Sequence, residues 1–153
     1  VKQLTLVYIS LTGNTHSFVT RLSEYLKENS IYATLINVKD LVKEHVQFSY
    51  LNEQAVVFLP TYLEGGNGVD SGYTEILTTP LKDYLSSHDN YKKCLGIVGS
   101  GNRNFNNQFC LTARQYSETF GFPVIDEFEL RGTQRDIERI GNKIITLANK
   151  GED

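Results

Sequence analysis

Six residues near the start of the chain have the types and order needed to hold an anion: Ser10-Leu11-Thr12-Gly13-Asn14-Thr15. They follow an apolar run at 4–9 that reads as a buried strand. They precede Phe18, Val19, Leu22, Tyr25 and Leu26, which recur at helical spacing. A strand that turns through small polar residues into a helix makes an anion site. The first amides of the helix have no partner within it, and its dipole places about half a positive charge there. Gly13 lets the backbone approach a phosphate closely, while Ser10, Thr12, Asn14 and Thr15 add side-chain donors. The stretch contains no Lys or Arg, so it suits a phosphate held as an anchor better than one being transferred. The plainer alternative is an ordinary helix start with Thr12 or Asn14 as N-cap.

Two later stretches have a matching composition. After the apolar run 54–60, closed by Pro60, come Thr61, Tyr62, Leu63, Glu64, Gly65, Gly66, Asn67 and Gly68. After the run 93–99 come Ser100, Gly101, Asn102, Arg103, Asn104, Phe105, Asn106, Asn107 and Gln108. Backbone amides and amide side chains could bond the rim of a flat heterocycle, and Tyr62 or Phe105 could stack on its face. Ordinary surface loops are the bland reading of both. Phe109 opens a helical repeat with Ala113, Tyr116 and Phe120 and reads as core. The Gly99-x-Gly101-x-x-Asn104 spacing is too incomplete for a dinucleotide fingerprint.

The elements that must position these stretches alternate between strand and helix. Strands are expected at 4–9, 32–38, 54–60, 93–99 and 124–130. Helices are expected at 15–28, weakly at 40–45, from about 74 through Pro80 to 85, at 109–120, and from a start at Thr133 with Asp136. Gly121 and Pro123 end the fourth helix, and the last helix buries Ile137, Ile140, Ile144 and Leu147. This pattern predicts an α/β fold, a flavodoxin-like three-layer sandwich with a five-stranded parallel sheet in the order 2-1-3-4-5, forming a single domain over 1–153. In that order ligands bind beyond the carboxyl ends of strands 1 and 3. Seven of the twelve glycines (Gly13, Gly65, Gly66, Gly68, Gly72, Gly99 and Gly101) fall after strands 1, 3 and 4, on one rim of the sheet.

Composition narrows the function classes. A net charge of −3 gives no electrostatic support for nucleic-acid binding. No apolar run approaches the length of a membrane span, and no signal peptide precedes the first strand. Cys94 and Cys110 form no C-x-x-C pair, which fits two buried thiols in a reducing cytoplasm. His16, His45 and His88 lack metal-ligand spacing and read as solvated surface. A phospho-receiver domain needs acids where Ser10 and Pro60 stand. A small tyrosine phosphatase needs a Cys five residues before an Arg in its phosphate loop, whereas Cys110 and Arg114 are closer and lie in an expected helix.

Ser10-Leu-Thr-Gly-Asn-Thr15, Pro60-Thr-Tyr62, Gly101-Asn-Arg-Asn-Phe105 and Phe128-Glu-Leu-Arg-Gly-Thr133 together resemble the NrdI family, the small flavodoxin-like proteins that serve class Ib ribonucleotide reductase. The resemblance spans nearly the whole chain. It implies FMN as cofactor, its phosphate at Ser10, Leu11, Thr12, Gly13, Asn14 and Thr15. It places the ring among Pro60, Thr61, Tyr62, Gly65, Gly66, Ser100, Gly101, Asn102, Asn104 and Phe105. It also implies that the reduced flavin reacts with O2 and passes superoxide to the dimanganese site of the reductase small subunit, where that oxidant builds a tyrosyl radical. The protein would then be an accessory factor rather than a turnover enzyme, reduced by a separate flavin reductant. The sequence departs from compact members in a longer loop after Tyr62, carrying Glu64, and in Asn106, where Gly is common. Arg103 stands without an acid in the strand-4 loop, while Glu64 and Asp70 lie in the strand-3 loop. A less acidic surround penalises an anionic reduced ring less. A general flavodoxin-type electron carrier and a flavin-free binding module of the same fold are the alternatives.

Overall fold

The computed structural model describes residues 2–9, 13–60, 71–101 and 111–150, with the side chains of 71–78 and 111 left aside. Five parallel strands form one sheet: β1 (Lys2–Tyr8), β2 (Ile31–Asn37), β3 (Ala55–Pro60), β4 (Cys94–Gly101) and β5 (Val124–Glu129). Their order is β2-β1-β3-β4-β5, as the alternating pattern predicts. Between them run α1 (Asn14–Glu28), α2 (Val38–Lys43), α3 (Ser71–Ser86), α4 (Leu111–Phe120) and α5 (Gln134–Lys150).

The three layers follow from the two-residue period of the strands. Leu4, Leu6 and Tyr8 of β1, with Val56 and Phe58 of β3, face α1 and α5. Val7 and Ile9, with Ala55, Val57 and Leu59, face α2, α3 and α4. Because β3 is covered on both faces, its residues form an unbroken apolar run rather than an alternating one. Apolar area removed from water on both sides of the sheet is the main force holding these layers together.

Thr133 caps α5 with the reciprocal pattern expected: its Oγ1 accepts from the Asp136 amide (3.2 Å), and its own amide donates to Asp136 Oδ2 (2.8 Å). The buried stripe of α5 is Ile137, Ile140, Gly141, Ile144 and Ala148. Leu147 is only half-buried, since at 3.6 residues per turn Ala148 continues the stripe from Ile144 and Leu147 lies at its edge. Other differences occur at junctions. No loop separates β2 from α2, because Asn37 ends the strand and caps the helix, accepting from the Lys39 amide (3.2 Å). Pro80 lies inside α3, and α4 begins at Leu111, with Phe109 and Cys110 outside the described residues.

Between α3 and β4 a 3-10 segment, Ser87–Lys93, turns through two consecutive left-handed residues, His88 (φ 53°) and Asp89 (φ 56°). What holds this turn is Asn90, 1 % exposed. Its Oδ1 accepts from the Leu51 amide (2.8 Å), and its Nδ2 donates to the carbonyls of Ser49 (3.1 Å) and Tyr84 (3.0 Å). Asn90→Ala removes the partner of two buried backbone groups, the Leu51 amide and the Tyr84 carbonyl, and of the part-buried Ser49 carbonyl, and is expected to cost about 3 kcal/mol. A shift in urea midpoint equivalent to under 1 kcal/mol would show that the 49–51 segment is held by other means.

A charge cluster joins β5 and α5. Arg139 donates to Asp126 Oδ2 (2.8 Å) and Asp136 Oδ1 (2.8 Å), and Lys143 lies 2.9 Å from Asp126 Oδ2. Burial raises the Asp126 carboxyl, but hydrogen bonds from Arg139, the Glu127 amide and Lys143 outweigh it and hold it below its ordinary value. Asp136 is lowered in the same way by the Thr133 amide and Arg139 against burial. A carboxylate with a depressed folded-state value stabilises the fold above its unfolded value, about 3.9. That stability disappears as pH falls through the folded value. Arg139→Ala is therefore expected to flatten the loss of stability between about pH 5 and pH 2, measured by denaturant midpoints. An unchanged slope would assign acid sensitivity elsewhere.

Candidate functional site

Of the residues expected to hold a ligand, Gly13, Asn14, Thr15, Pro60, Ser100 and Gly101 are described. Ser10, Leu11, Thr12, Thr61, Tyr62, Gly65, Gly66, Asn102, Asn104 and Phe105 lie outside the described residues, as do Glu64, Asp70, Arg103 and Asn106. The described six occupy one edge of the sheet. Pro60 and Ser100 are direct partners at the carboxyl ends of β3 and β4. Tyr8 ends β1 opposite Phe58, two residues before Pro60. Neighbouring strands lie about 4.8 Å apart, so the chain leaves β1, β3 and β4 within roughly 10 Å along this rim. Between β1 and β3 the strand order reverses, the point where open α/β sheets take ligands.

Gly13 is the N-cap of α1, with φ 90° and ψ −12°, and among the described residues no side chain caps the helix. Asn14, the alternative cap, is instead the first helical residue. The left-handed backbone at Gly13 is cheap only for glycine, and the space a Cβ would occupy there has no atom within 4 Å. The first turn holds no acidic residue. Thr15 is buried, whereas Asn14 is half-buried. A glycine-capped, acid-free helix start fits a phosphate.

Two groups at this rim were given no site role in the sequence reading. Tyr8 is 2 % exposed, and its hydroxyl lies 2.6 Å from His16 Nδ1, with ring centroids 5.8 Å apart. His16 is exposed, yet this bond ties the end of β1 to the first turn of α1 across the cradle. Burial, then the charge of Asp40, pushes the Tyr8 phenol above its ordinary value. The signal was present, since Tyr8 is in phase with Leu4 and Leu6, which face α1. The second group is the stretch 128–133. Phe128 stacks on Phe18 of α1 at 3.8 Å and 10°. Gly132 (φ 74°) sits against the same ring, and Arg21 donates to the carbonyls of Gly132 (3.1 Å) and Arg131. The Leu130 amide donates to the Gly101 carbonyl (2.9 Å). The stretch thus braces the rim from β5 and has no described contact of its own with a ligand.

Among the described residues, cavities also occur away from this rim. A groove of about 500 Å³ lined by Pro123, Ile125, Lys143 and Leu147 runs between β5 and α5, and a polar cleft of about 470 Å³ adjoins Tyr50 and His88. Cys94 is partly buried, its thiol pushed up to about 12 by that burial, so it is an inert thiol. Among the described residues there is no cluster of His, Cys, Asp and Glu placed to hold a metal, and no helix is long and apolar enough to cross a membrane.

Sheet order and rim define a flavodoxin-like protein. Solved structures agree on the fold: a short-chain flavodoxin associated with a bacterial PDU microcompartment is 20 % identical, covering 98 % of this chain and 99 % of its own, with a TM-score of 0.67. Oxidised flavodoxin 2 of Bacillus cereus is also 20 % identical over the same shares, with a TM-score of 0.60. A family model described as NrdI flavodoxin-like matches residues 6–142. An NrdI-like protein of Streptococcus pyogenes serotype M18 is 59 % identical over 143 residues, 93 % of this chain and 92 % of that one. Protein NrdI of Mycoplasma genitalium is 30 % identical over 132 residues, 86 % and 76 % of the two chains. The chain belongs to the NrdI flavodoxin-like family.

Proposed function

We propose that this protein binds FMN and, as an accessory factor rather than a turnover enzyme, supplies oxidant to the small subunit of a class Ib ribonucleotide reductase. The observation that carries the reading is the glycine-capped, acid-free start of α1 beside the carboxyl ends of β3 and β4, in a chain of the NrdI family. Ser10, Thr12, Asn14, Thr15 and the first amides of α1 hold the phosphate. Pro60, Ser100 and Gly101, at the ends of β3 and β4, would lie beneath the ring, and Thr61, Tyr62, Gly65, Gly66, Asn102, Asn104 and Phe105 would contact it. Tyr62 and Phe105 supply the stacking faces and the asparagines bond the rim. When bound and reduced, FMN would transfer an electron to O2, and the resulting superoxide would oxidise the subunit's dimanganese site. A separate reductant must supply the electrons. Because the glycine-rich rim admits a partner's backbone closely, it docks the small subunit and encloses the path of the oxidant.

The test is reconstitution. Protein reduced without oxygen is mixed with manganese-loaded small subunit, O2 is admitted, and the tyrosyl radical is counted by electron paramagnetic resonance. Radical formation that survives superoxide dismutase is expected. If dismutase abolishes it while the complex stays intact, enclosed delivery is wrong. Bound flavin that yields no radical would leave a general electron carrier, and a purified protein that takes up no flavin would leave a binding module.

A further inference from the structure

Before Lys27 near its end, α1 carries one permanent cation, Arg21. It is the eighth residue of the helix, about 12 Å along the axis from Gly13, beyond the first turn where free amides and dipole act. Its charge is spent elsewhere. All three guanidinium nitrogens donate to backbone carbonyls: Nε to Ser17 (3.2 Å), Nη1 to Gly132 (3.1 Å) and Nη2 to Arg131. We propose that Arg21 is a positioning residue for the flavin ring. By gripping the turn after β5 it fixes the carbonyl of Gly101, the residue from which the segment carrying Asn102, Asn104 and Phe105 departs. The inference rests on the FMN reading above.

The turn is a backbone that needs holding. Leu130 (φ 56°) and Gly132 (φ 74°) are both left-handed. That conformation is costly for a residue with a Cβ, and the Leu130 side chain is 48 % exposed, so its burial does not offset the cost. Within the turn, the Gly132 amide donates to the Glu129 carbonyl (3.0 Å). From α1, Arg21 takes the carbonyls of two consecutive residues, and the Phe18 ring lies against Gly132 while stacking on Phe128. A planar guanidinium fork can serve two carbonyls at once, where an ammonium acts as a point charge. With the turn so held, the Leu130 amide donates to the Gly101 carbonyl (2.9 Å). Gly101 ends β4, where its register partner is Glu129. The helix that receives the phosphate thereby sets the root of the segment that receives the ring. Arg21 acts on the ring through this turn.

Two measurements on Arg21→Ala test the role. Hydrogen exchange of the flavin-free protein reads the turn directly: the Leu130 amide should exchange about fivefold faster relative to the Val57 amide of β3. Riboflavin and FMN are then titrated at about 10 °C, near maximum stability, where circular dichroism shows the variant folded. Both should bind about fivefold more weakly, the equivalent of one backbone hydrogen bond, leaving their affinity ratio unchanged. The visible dichroism of bound FMN should also change. Arg21→Lys should move each readout the same way by a smaller factor, and it carries the test if the alanine variant does not fold. A purely structural residue would lower the thermal midpoint and leave the affinities of folded protein alone; that result, or an unchanged Leu130 exchange ratio, overturns the proposal. Weakening confined to FMN would also overturn it, by making Arg21 a partner of the phosphate. Wild-type protein that binds no flavin, or both flavins equally, would instead sink the FMN reading and this role with it.

Discussion

FMN should bind at least a hundredfold more tightly than riboflavin. The two ligands share the ring and differ in the phosphate, which the proposed reading seats at the start of α1, where the N-cap is a glycine and the first turn has no acid. A hydrogen bond to a charged group contributes roughly 1.5–3 kcal/mol, so losing only two at the lower figure already weakens binding about a hundredfold. Thr12→Ala removes one such bond and should weaken FMN about ten- to a hundredfold with little effect on riboflavin. Quenching of flavin fluorescence measures both constants. Equal affinities for the two flavins would move the anchor away from 10–15.

Gly132→Ala should be strongly destabilising. Its φ of 74° penalises any Cβ, and that Cβ would lie 2.6 Å from Phe18 Cδ2 and 3.2 Å from Phe128 Cδ2. The two rings stack at 3.8 Å and both are buried, so neither can withdraw. A left-handed backbone costs about 1–2 kcal/mol and overpacking about 1–3, together near 3 kcal/mol. For a chain of this size that lowers the melting midpoint by roughly 6–12 °C. A midpoint within 2 °C of wild type would mean that the 130–133 turn shifts freely on the sheet. Because the same turn is tied to Gly101 through Leu130, weaker FMN binding is expected to accompany the loss of stability.

The architecture was legible because burial writes itself into sequence. A strand covered on both faces, such as Ala55–Pro60, is an uninterrupted apolar run, and a helix on one face, such as α5, is a stripe. What was hidden depends on contacts between elements. Asn37 does two jobs at once, ending a strand and capping a helix, so no turn residues mark the junction. His88 and Asp89 adopt left-handed backbone without glycine because Asn90 pins the segment, a cause 39 residues away in the case of Leu51. Leu147 and Ala148 exchange roles because helix geometry outweighs side-chain size. At the site, residue types suggested a cradle at 10–15, and the bond from Tyr8 to His16 was missed because a tyrosine in an apolar run looks like core.

The packing of α5 against α1 has a consequence for how the chain is made. One of the two cores needs Ile137, Ile140, Ile144 and Ala148 to cover Phe18, Leu22 and Leu26, and Gly141 allows α5 to approach Tyr25 closely. Of the described elements, α5 is the last to leave the ribosome, whereas the strand that α1 covers, β1, is the first. The nascent chain must therefore carry this side of α1 uncovered until α5 has emerged. The hazard of misassociation lasts until α5 docks, and a chain stopped before Gln134 would be a substrate for chaperones or proteases rather than a weaker version of the protein.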